Sequence, residues 1–316
     1  MRVLITGGTG FCGRHLARHC LASGDDVTVI GRSASRCPEG THFVAATLED
    51  PAALAAALRS TKPDAVYHLA ALSSVARSFD NESELYRTNV LGTLNLLRAM
   101  RTEAPEARLL VTGSAEEYAR EPARSGPLSE GSPLGPVSPY GVSKAAASLM
   151  ALREARSGSL DVIVTRTFNL TGPGQATTFV CADFADRVAK AAAAGQSRLE
   201  MVTGNLDARR DFSSVAEAVK AYRALIEKGE RGRLYNICSG VARPIREIVE
   251  RLAELSGLEL ETRIDPARLR PGEIPEIRGD SSRLTATTGC RVGGFKTALA
   301  ELYLERLELA RGGAAG

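Results

Sequence analysis

The 316-residue sequence contains no apolar run of about 18 residues, the length a helix needs to cross a bilayer, so it offers no transmembrane helix and predicts no membrane partner. It opens on "MRVLITGGTG", which passes straight into a strand and a turn with no basic leader before an apolar stretch; the expected address is the cytoplasm. A Cys-x-x-Cys pair is also missing. The six cysteines (Cys12, Cys20, Cys37, Cys181, Cys238 and Cys290) are scattered through a chain too long to depend on disulfide staples, and are read as reduced thiols, most of them buried. Neither sign of charge dominates: 40 basic and 37 acidic residues are interspersed for a net charge of +3, which is no footprint for nucleic acid. Among only four histidines, His15 and His19 lie four apart near Cys12. They read as surface positions on an early helix, and no metal is expected.

What is present is a regular alternation of strands and helices, in a chain 44% hydrophobic and able to bury a full core. "RVLITGG" is a strand ending in glycines, "FCGRHLARHCLASG" a helix stopped by Gly24, and "DVTVIG" a second strand, together a βαβ unit. A helix over 51–60, a strand over 64–70, a long helix near 83–101, a strand over 107–114, a helix from Pro139 and a strand over 160–169 follow. This order predicts an α/β fold with a doubly wound parallel sheet of the Rossmann type. Residues 115–138, rich in proline, read as a loop across the strand tips, where loops of such sheets bind ligands. Beyond "TGPGQ" the pattern loosens into a helix around 179–194, a strand over 234–238 and a helix over 244–256. The expected division is a dinucleotide-binding domain of residues 1–170 that also receives about 213–238, a smaller substrate-binding lobe of 171–212 and 239–311, and a tail of 312–316.

"TGGTGFCG" follows the first strand and opens the first helix. Gly8, Gly10 and Gly13 satisfy G-x-G-x-x-G, and Gly7, Gly10 and Gly13 equally satisfy G-x-x-G-x-x-G. Either spacing gives the tight turn and the close backbone approach that a pyrophosphate at a helix N-terminus requires. A site for NAD carries an acidic residue at the end of the second strand to hold the ribose 2′-hydroxyl; here stand Gly31 and Arg32, followed by Ser33 and Arg36, which suit a 2′-phosphate. The sequence therefore predicts NADP(H) over NAD(H).

In "SPYGVSK", Ser138 can cap a helix and Pro139 can occupy its first turn, which places Tyr140 and Lys144 one turn apart on one face. A lysine ammonium there would lower the pKa of the phenol, and Ser114, ending the preceding strand, can bond the same reacting oxygen. With "TGGTGFCG", "HLAA" (68–71), Asn89 in "TNVLGT", Ser114, "YGVSK" and "RTFNLTGPGQ" (166–175), nearly the whole chain resembles the extended, nucleotide-sugar-modifying branch of the short-chain dehydrogenase/reductase superfamily. "GNLDARRDFSSVAEAVKAY", "GRLYNICSG" and "ARLRPGEIPEIRGDSSRLTATTG" are similar to the GDP-mannose dehydratase group, above all its shorter 4-keto-reductase members.

The resemblance implies Tyr140 as acid/base, Lys144 as its partner and a ligand of the nicotinamide ribose, and Ser114 as the group that positions the substrate oxygen. It adds Phe11, Leu48, Leu69, Ala70, Ala71 and Asn89 to the cofactor residues. It assigns Asn169 and Arg210 to the diphosphate or sugar, and Arg270 and Glu273 to the phosphate and ribose of the nucleotide. The residues also admit structural ion pairs of Arg210 with Asp211 and of Arg270 with Glu273. The implied reaction is NADPH-dependent reduction of the 4-keto group of a GDP-6-deoxy-4-keto-hexose to the GDP-D-rhamnose level. Glu116 falls where 4,6-dehydratases carry the base that removes a ring proton, so a GDP-mannose 4,6-dehydratase or an epimerase with tightly bound cofactor stays open. The family also implies a homodimer through the helix near 83–101 and the helix after Tyr140, where Gly92, Ala145, Ala146 and Ala147 permit close approach.

Overall fold

The structure, a computed structural model, describes residues 1–119, 126–269 and 274–313, except the side chains of residues 76 and 77. Seven strands form one parallel sheet in the order β3-β2-β1-β4-β5-β6-β10. They are β1 (Arg2–Thr6), β2 (Asp26–Gly31), β3 (His42–Ala45), β4 (Ala65–His68), β5 (Arg108–Ser114), β6 (Val162–Thr167) and β10 (Leu234–Ile237). The doubly wound sheet expected from the sequence is present. Successive side chains of a strand face opposite ways, and here both faces are covered. Val3 and Ile5 join the core under helices α1 (Phe11–Ala22) and α7 (Val215–Lys228), while Leu4 joins the core under α2 (Pro51–Thr61), α4 (Gly92–Glu103) and α5 (Pro139–Arg156). That double burial is why "RVLIT" is almost uniformly apolar.

Local chemistry sets the helix ends. Asp50 accepts the Ala53 N–H at 3.0 Å and Pro51 takes the first helical position of α2. Ser138 likewise accepts the Gly141 N–H at 3.0 Å ahead of Pro139 in α5; such a cap is worth about 1 kcal/mol. The long helix expected near 83–101 is instead α3 (Glu82–Tyr86), a π turn at Arg87–Leu91, and α4. Inserted turns of this kind gather at functional sites, and this one carries Asn89.

After β6 the chain forms β7 (Asn169–Thr171), α6 (Val180–Ala193), β8 (Arg198–Thr203) and β9 (Arg209–Ser214), returns to the sheet through α7 and β10, and leaves again. The last part comprises β11 (Ala242–Pro244), α8 (Arg246–Ser256), β12 (Glu259–Ile264), β13 (Glu276–Ile277), α9 (Ser282–Thr288) and α10 (Phe295–Gly313). A separate core gathers Phe184 of α6, Leu252 of α8, and Phe295 and Leu302 of α10, with Phe212 stacked on Phe295 at 5.4 Å between ring centroids. Three cysteines (Cys20, Cys181, Cys238) are buried and the other three are half-buried, fewer buried than composition suggested. Among the described residues no helix is long and apolar enough to cross a membrane.

Asp211 ties the two parts together. Its carboxylate is fully buried in β9 and accepts the Ser239 N–H (2.8 Å) and hydroxyl (2.6 Å), the Gly240 N–H (2.9 Å) and the Gly279 N–H (3.2 Å). It therefore joins β9 to the loop after β10 and the segment after β13, whereas Arg210, next along the strand, turns to the opposite side. Asp211→Ala would strand four donors together. We expect a loss of about 3 kcal/mol of stability, read as a lower urea midpoint with an unchanged slope.

Candidate active site

The ends of β1, β4, β5 and β6 open into a cavity of about 1070 Å³. It lies where the strand order reverses between β1 and β4, the position at which open α/β sheets bind ligands. Gly7 begins the first loop with φ +72°, and a Cβ there would lie 2.7 Å from the Ala70 backbone nitrogen. A Cβ on Gly13 would lie 2.2 Å from the Gly7 carbonyl oxygen. The frame of the turn is thus Gly7, Gly10 and Gly13, while Gly8 packs against Val29. No side chain caps α1 and no acid stands in its first turn, so Phe11, Cys12 and Gly13 bring the positive end of a helix to the cavity wall. This cradle, which side chains would fill, fits a pyrophosphate.

Arg32, Leu48, Leu69, Ala70 and Ala71 line the same cavity, Arg32 with its side chain exposed at the end of β2. Ser33 does not line it; its hydroxyl caps the short turn of Ala34–Arg36 by accepting the Ser35 N–H at 3.2 Å. Asn89 stands behind the wall. Its side chain accepts the Leu72 N–H (2.8 Å) and donates to the Leu72 carbonyl (3.1 Å) and the Ser143 hydroxyl (3.0 Å), and Ser143 donates to the Tyr140 carbonyl (2.7 Å). Its side chain braces the cavity wall and α5.

His68 continues this bracing, a role its sequence motif did not disclose. Its Nδ1 is 2.8 Å from the Thr6 hydroxyl and its Nε2 is 2.9 Å from the Thr93 hydroxyl, which itself donates to the Asn89 carbonyl at 2.6 Å. The Thr93 oxygen must therefore accept from Nε2–H, leaving Nδ1 to accept from Thr6. Burial, with Lys144 nearby, holds this imidazole neutral and pulls its pKa down to about 3.

Tyr140, Lys144, Ser114 and Glu116 all meet at the cavity. Ser114 ends β5, its oxygen accepts the Glu116 N–H at 3.2 Å, and its side chain stands near enough to the Tyr140 phenol to act on its pKa. Burial pushes the Tyr140 phenol well above its ordinary range; the nearby Ser114 hydroxyl opposes this, and the charges of Glu116 and Glu117 add to it. Burial pulls the Lys144 amine down to about 8, against the pull of Glu117. The expected lowering of the phenol by the ammonium is thus overridden: desolvation favours the neutral form of both groups.

At the far end, Asn169 lines the cavity and donates to the Asp211 carbonyl at 3.2 Å, while Arg210 lines it and donates to the carbonyls of Arg209 (2.9 Å) and Ile274 (3.0 Å). Arg270 and Glu273 lie outside the described residues. Phe179, Phe184, Arg268 and Tyr222 also line the cavity and were not found from sequence. Tyr222 shares a 2.7 Å hydrogen bond with Thr167, but it lies on α7, an element whose helical period was not recognised. His15 is half-buried, with Nε2 2.9 Å from the Pro173 carbonyl, rather than on the surface. Among the described residues no cluster of three or more His, Cys, Asp or Glu side chains could hold a metal ion.

The model of the NAD dependent epimerase/dehydratase family matches residues 3–238, the span from β1 through the end of β10. The chain belongs to this family. It is 36% identical to GDP-6-deoxy-D-mannose reductase of Pseudomonas aeruginosa over 91% of each chain. Among solved structures it is similar to RMD from Pseudomonas aeruginosa complexed with NADPH (31% identity, TM-score 0.86, 98% of this chain and 100% of that one). It is also similar to UDP-glucose 4-epimerase of Thermus thermophilus in complex with NAD (30% identity, TM-score 0.86, 97% and 99%). Epimerase/dehydratase family membership thus accounts for the shared scaffold, and the choice among its chemistries falls to individual side chains.

The glycine cradle gives a direct test. Gly13→Ala places a methyl group 2.2 Å from the Gly7 carbonyl oxygen, so α1 must move away from the loop. The expected outcome is a loss of dinucleotide affinity of at least about tenfold, measured by fluorescence titration with NADPH.

Proposed function

We propose that this protein is an NADPH-dependent reductase of the 4-keto group of a GDP-linked 6-deoxy-4-keto-hexose. The observation that carries the reading is the meeting of Ser114, Tyr140 and Lys144 in one cavity with the glycine cradle and Arg32. The similarity to the Pseudomonas aeruginosa reductase, and to RMD complexed with NADPH, supports the choice of substrate and cofactor. In this reading the sheet domain holds the dinucleotide and the smaller lobe holds the nucleotide sugar. Gly7, Gly10, Phe11 and Gly13 hold the pyrophosphate, Arg32 the 2′-phosphate, and Leu48, Leu69, Ala70 and Ala71 the apolar wall. Bound NADPH supplies a hydride.

The chain's own groups do the rest. Arg210 and Asn169 orient the diphosphate and sugar, with Arg270 and Glu273 assigned to the nucleotide. Ser114 donates a hydrogen bond to the keto oxygen, polarising it. Tyr140, held neutral by burial, gives its proton to that oxygen as negative charge develops. Lys144 lies one turn away and supplies a positive charge and a donor to a ribose. Exposed Leu91, Val142 and Leu149 on the helices flanking this site support a homodimer in which a second copy covers them.

Glu116 favours a second reading. Its side chain lines the cavity and its charge acts on Tyr140, as a base for 4,6-dehydration would require. Incubation with NADPH and GDP-4-keto-6-deoxy-mannose separates the two. Loss of NADPH absorbance with wild type, a drop of about 10²-fold or more in Tyr140→Phe, and activity largely kept in Glu116→Gln are expected. Conversion of GDP-mannose without net NADPH use, abolished by Glu116→Gln, would establish the dehydratase instead.

The Lys144 amine sets the alkaline limb. Below about 8 it carries its charge, and as pH rises through about 8 the charge is lost. The expected kcat/KM falls across that interval, and Lys144→Arg, which stays protonated, moves the fall to higher pH.

A further inference from the structure

Two adjacent glutamates follow Ser114 and Ala115, and they part: Glu116 lines the cavity, whereas Glu117 has no solvent exposure at all. One carboxylate oxygen of Glu117 accepts the Ser114 N–H at 2.8 Å and the Ser148 hydroxyl at 2.9 Å; the other accepts Arg166 Nε at 2.8 Å. Those donors come from β5, α5 and β6. Ser148 lies one helical turn beyond Lys144, so the same carboxylate grips the strand tip that ends in Ser114 and the helix that carries Tyr140. A Cβ on Gly113 would lie 2.2 Å from the carboxylate; only glycine leaves it room. Arg166 in turn lies 4.4 Å from the centroid of the Tyr118 ring, whose hydroxyl donates to Asn236 of β10 at 2.6 Å.

We propose that Glu117 is a positioning residue for proton transfer at Tyr140, clamping β5 to α5 so that the Ser114 and Tyr140 hydroxyls stay in register. The proposal rests on the reading of Tyr140 as the proton donor. A buried ion pair is seldom a gain in stability over apolar packing, so its stability alone does not explain a carboxylate whose first bond is to the backbone of Ser114. Both ends of that serine are fixed: its N–H by Glu117 and its oxygen by the Glu116 N–H. The hydroxyl hydrogen is left to be directed by Tyr140 and the substrate. A clamp of this kind contributes through geometry, where small misplacements are costly in rate.

The test combines turnover with a resonance. Glu117→Gln is expected to lower kcat about tenfold or more, with KM for NADPH and for the keto sugar within about twofold. If Glu117 acts through Ser114, adding it to Ser114→Ala costs little further; full additivity of the two losses overturns the proposal. Glu117→Leu/Arg166→Met removes both buried charges together, so a stranded arginine cannot unfold the protein, and it should show the same kcat loss. Independently of turnover, the ¹³Cζ resonance of Tyr140, one of seven tyrosines and assigned with Tyr140→Phe, is expected to move in Glu117→Gln in the same direction as in Ser114→Ala. An unmoved resonance overturns the proposal. A wild type that leaves NADPH unconsumed overturns the reductase reading, and the resonance still decides the role of Glu117.

Discussion

The geometry of β5, β6 and α5 depends on an ion pair hidden from water: Glu117 and Arg166, 2.8 Å apart, with side chains 0% and 6% exposed. Removing two charges from solvent costs on the order of several kcal/mol each, and their attraction offsets that only when every remaining lone pair and proton finds a partner. Here the partners are supplied by Ser114, Ser148 and the face of the Tyr118 ring. The cost is offset only in one arrangement of the strand tips and the helix. A low-dielectric interior that penalises misplacement this strongly makes a single native geometry.

The same exclusion of water explains why the fold could be read from the chain. A sheet covered on both faces needs apolar residues at every strand position, and "RVLIT" or "DVIVT" stands out for that reason. Capping signals at Ser138 and Pro139 act within one turn and need no knowledge of distant partners. The smaller lobe was less legible because several of its strands are largely exposed or only two or three residues long. In β12, "ELETRI" is mostly exposed and holds to β8 by parallel pairing with residues some sixty positions earlier, a relation that no local period announces. The π turn at Arg87–Leu91 escaped notice for a similar reason. Its local sequence reads as helix, and the side chain of Asn89 within it is engaged by Leu72 and by Ser143 of α5.

Within the site, legibility followed spacing. Gly7, Gly10 and Gly13, the pair of Tyr140 and Lys144, and Ser114 at a strand end are fixed by one turn or one strand, and the structure brings them to one cavity. What sequence could not give was the sign of the dominant electrostatic effect. Spacing places a cation near a phenol and suggests a lowered pKa, but the depth of burial, a tertiary property, reverses the balance. Nor could it separate two consecutive glutamates. Glu116 and Glu117 differ by one position in a short turn, and that rotation sends one to the cavity and the other into the protein.

That divergence bears on why a reductase would keep an acid at position 116. In a dehydratase the carboxylate removes a proton from the sugar ring. In a reductase the proton must travel the other way, from the phenol to an oxygen gaining negative charge, and the phenol has to be protonated at the start. The charges of Glu116 and Glu117 both push the Tyr140 pKa upward, in the same direction as its burial. An oxyanion formed from a ketone is a far stronger base than a phenolate, so even a raised phenol remains a competent donor to it. The carboxylate that serves one branch of this scaffold as a base therefore suits the other as a fixed charge that keeps the acid loaded.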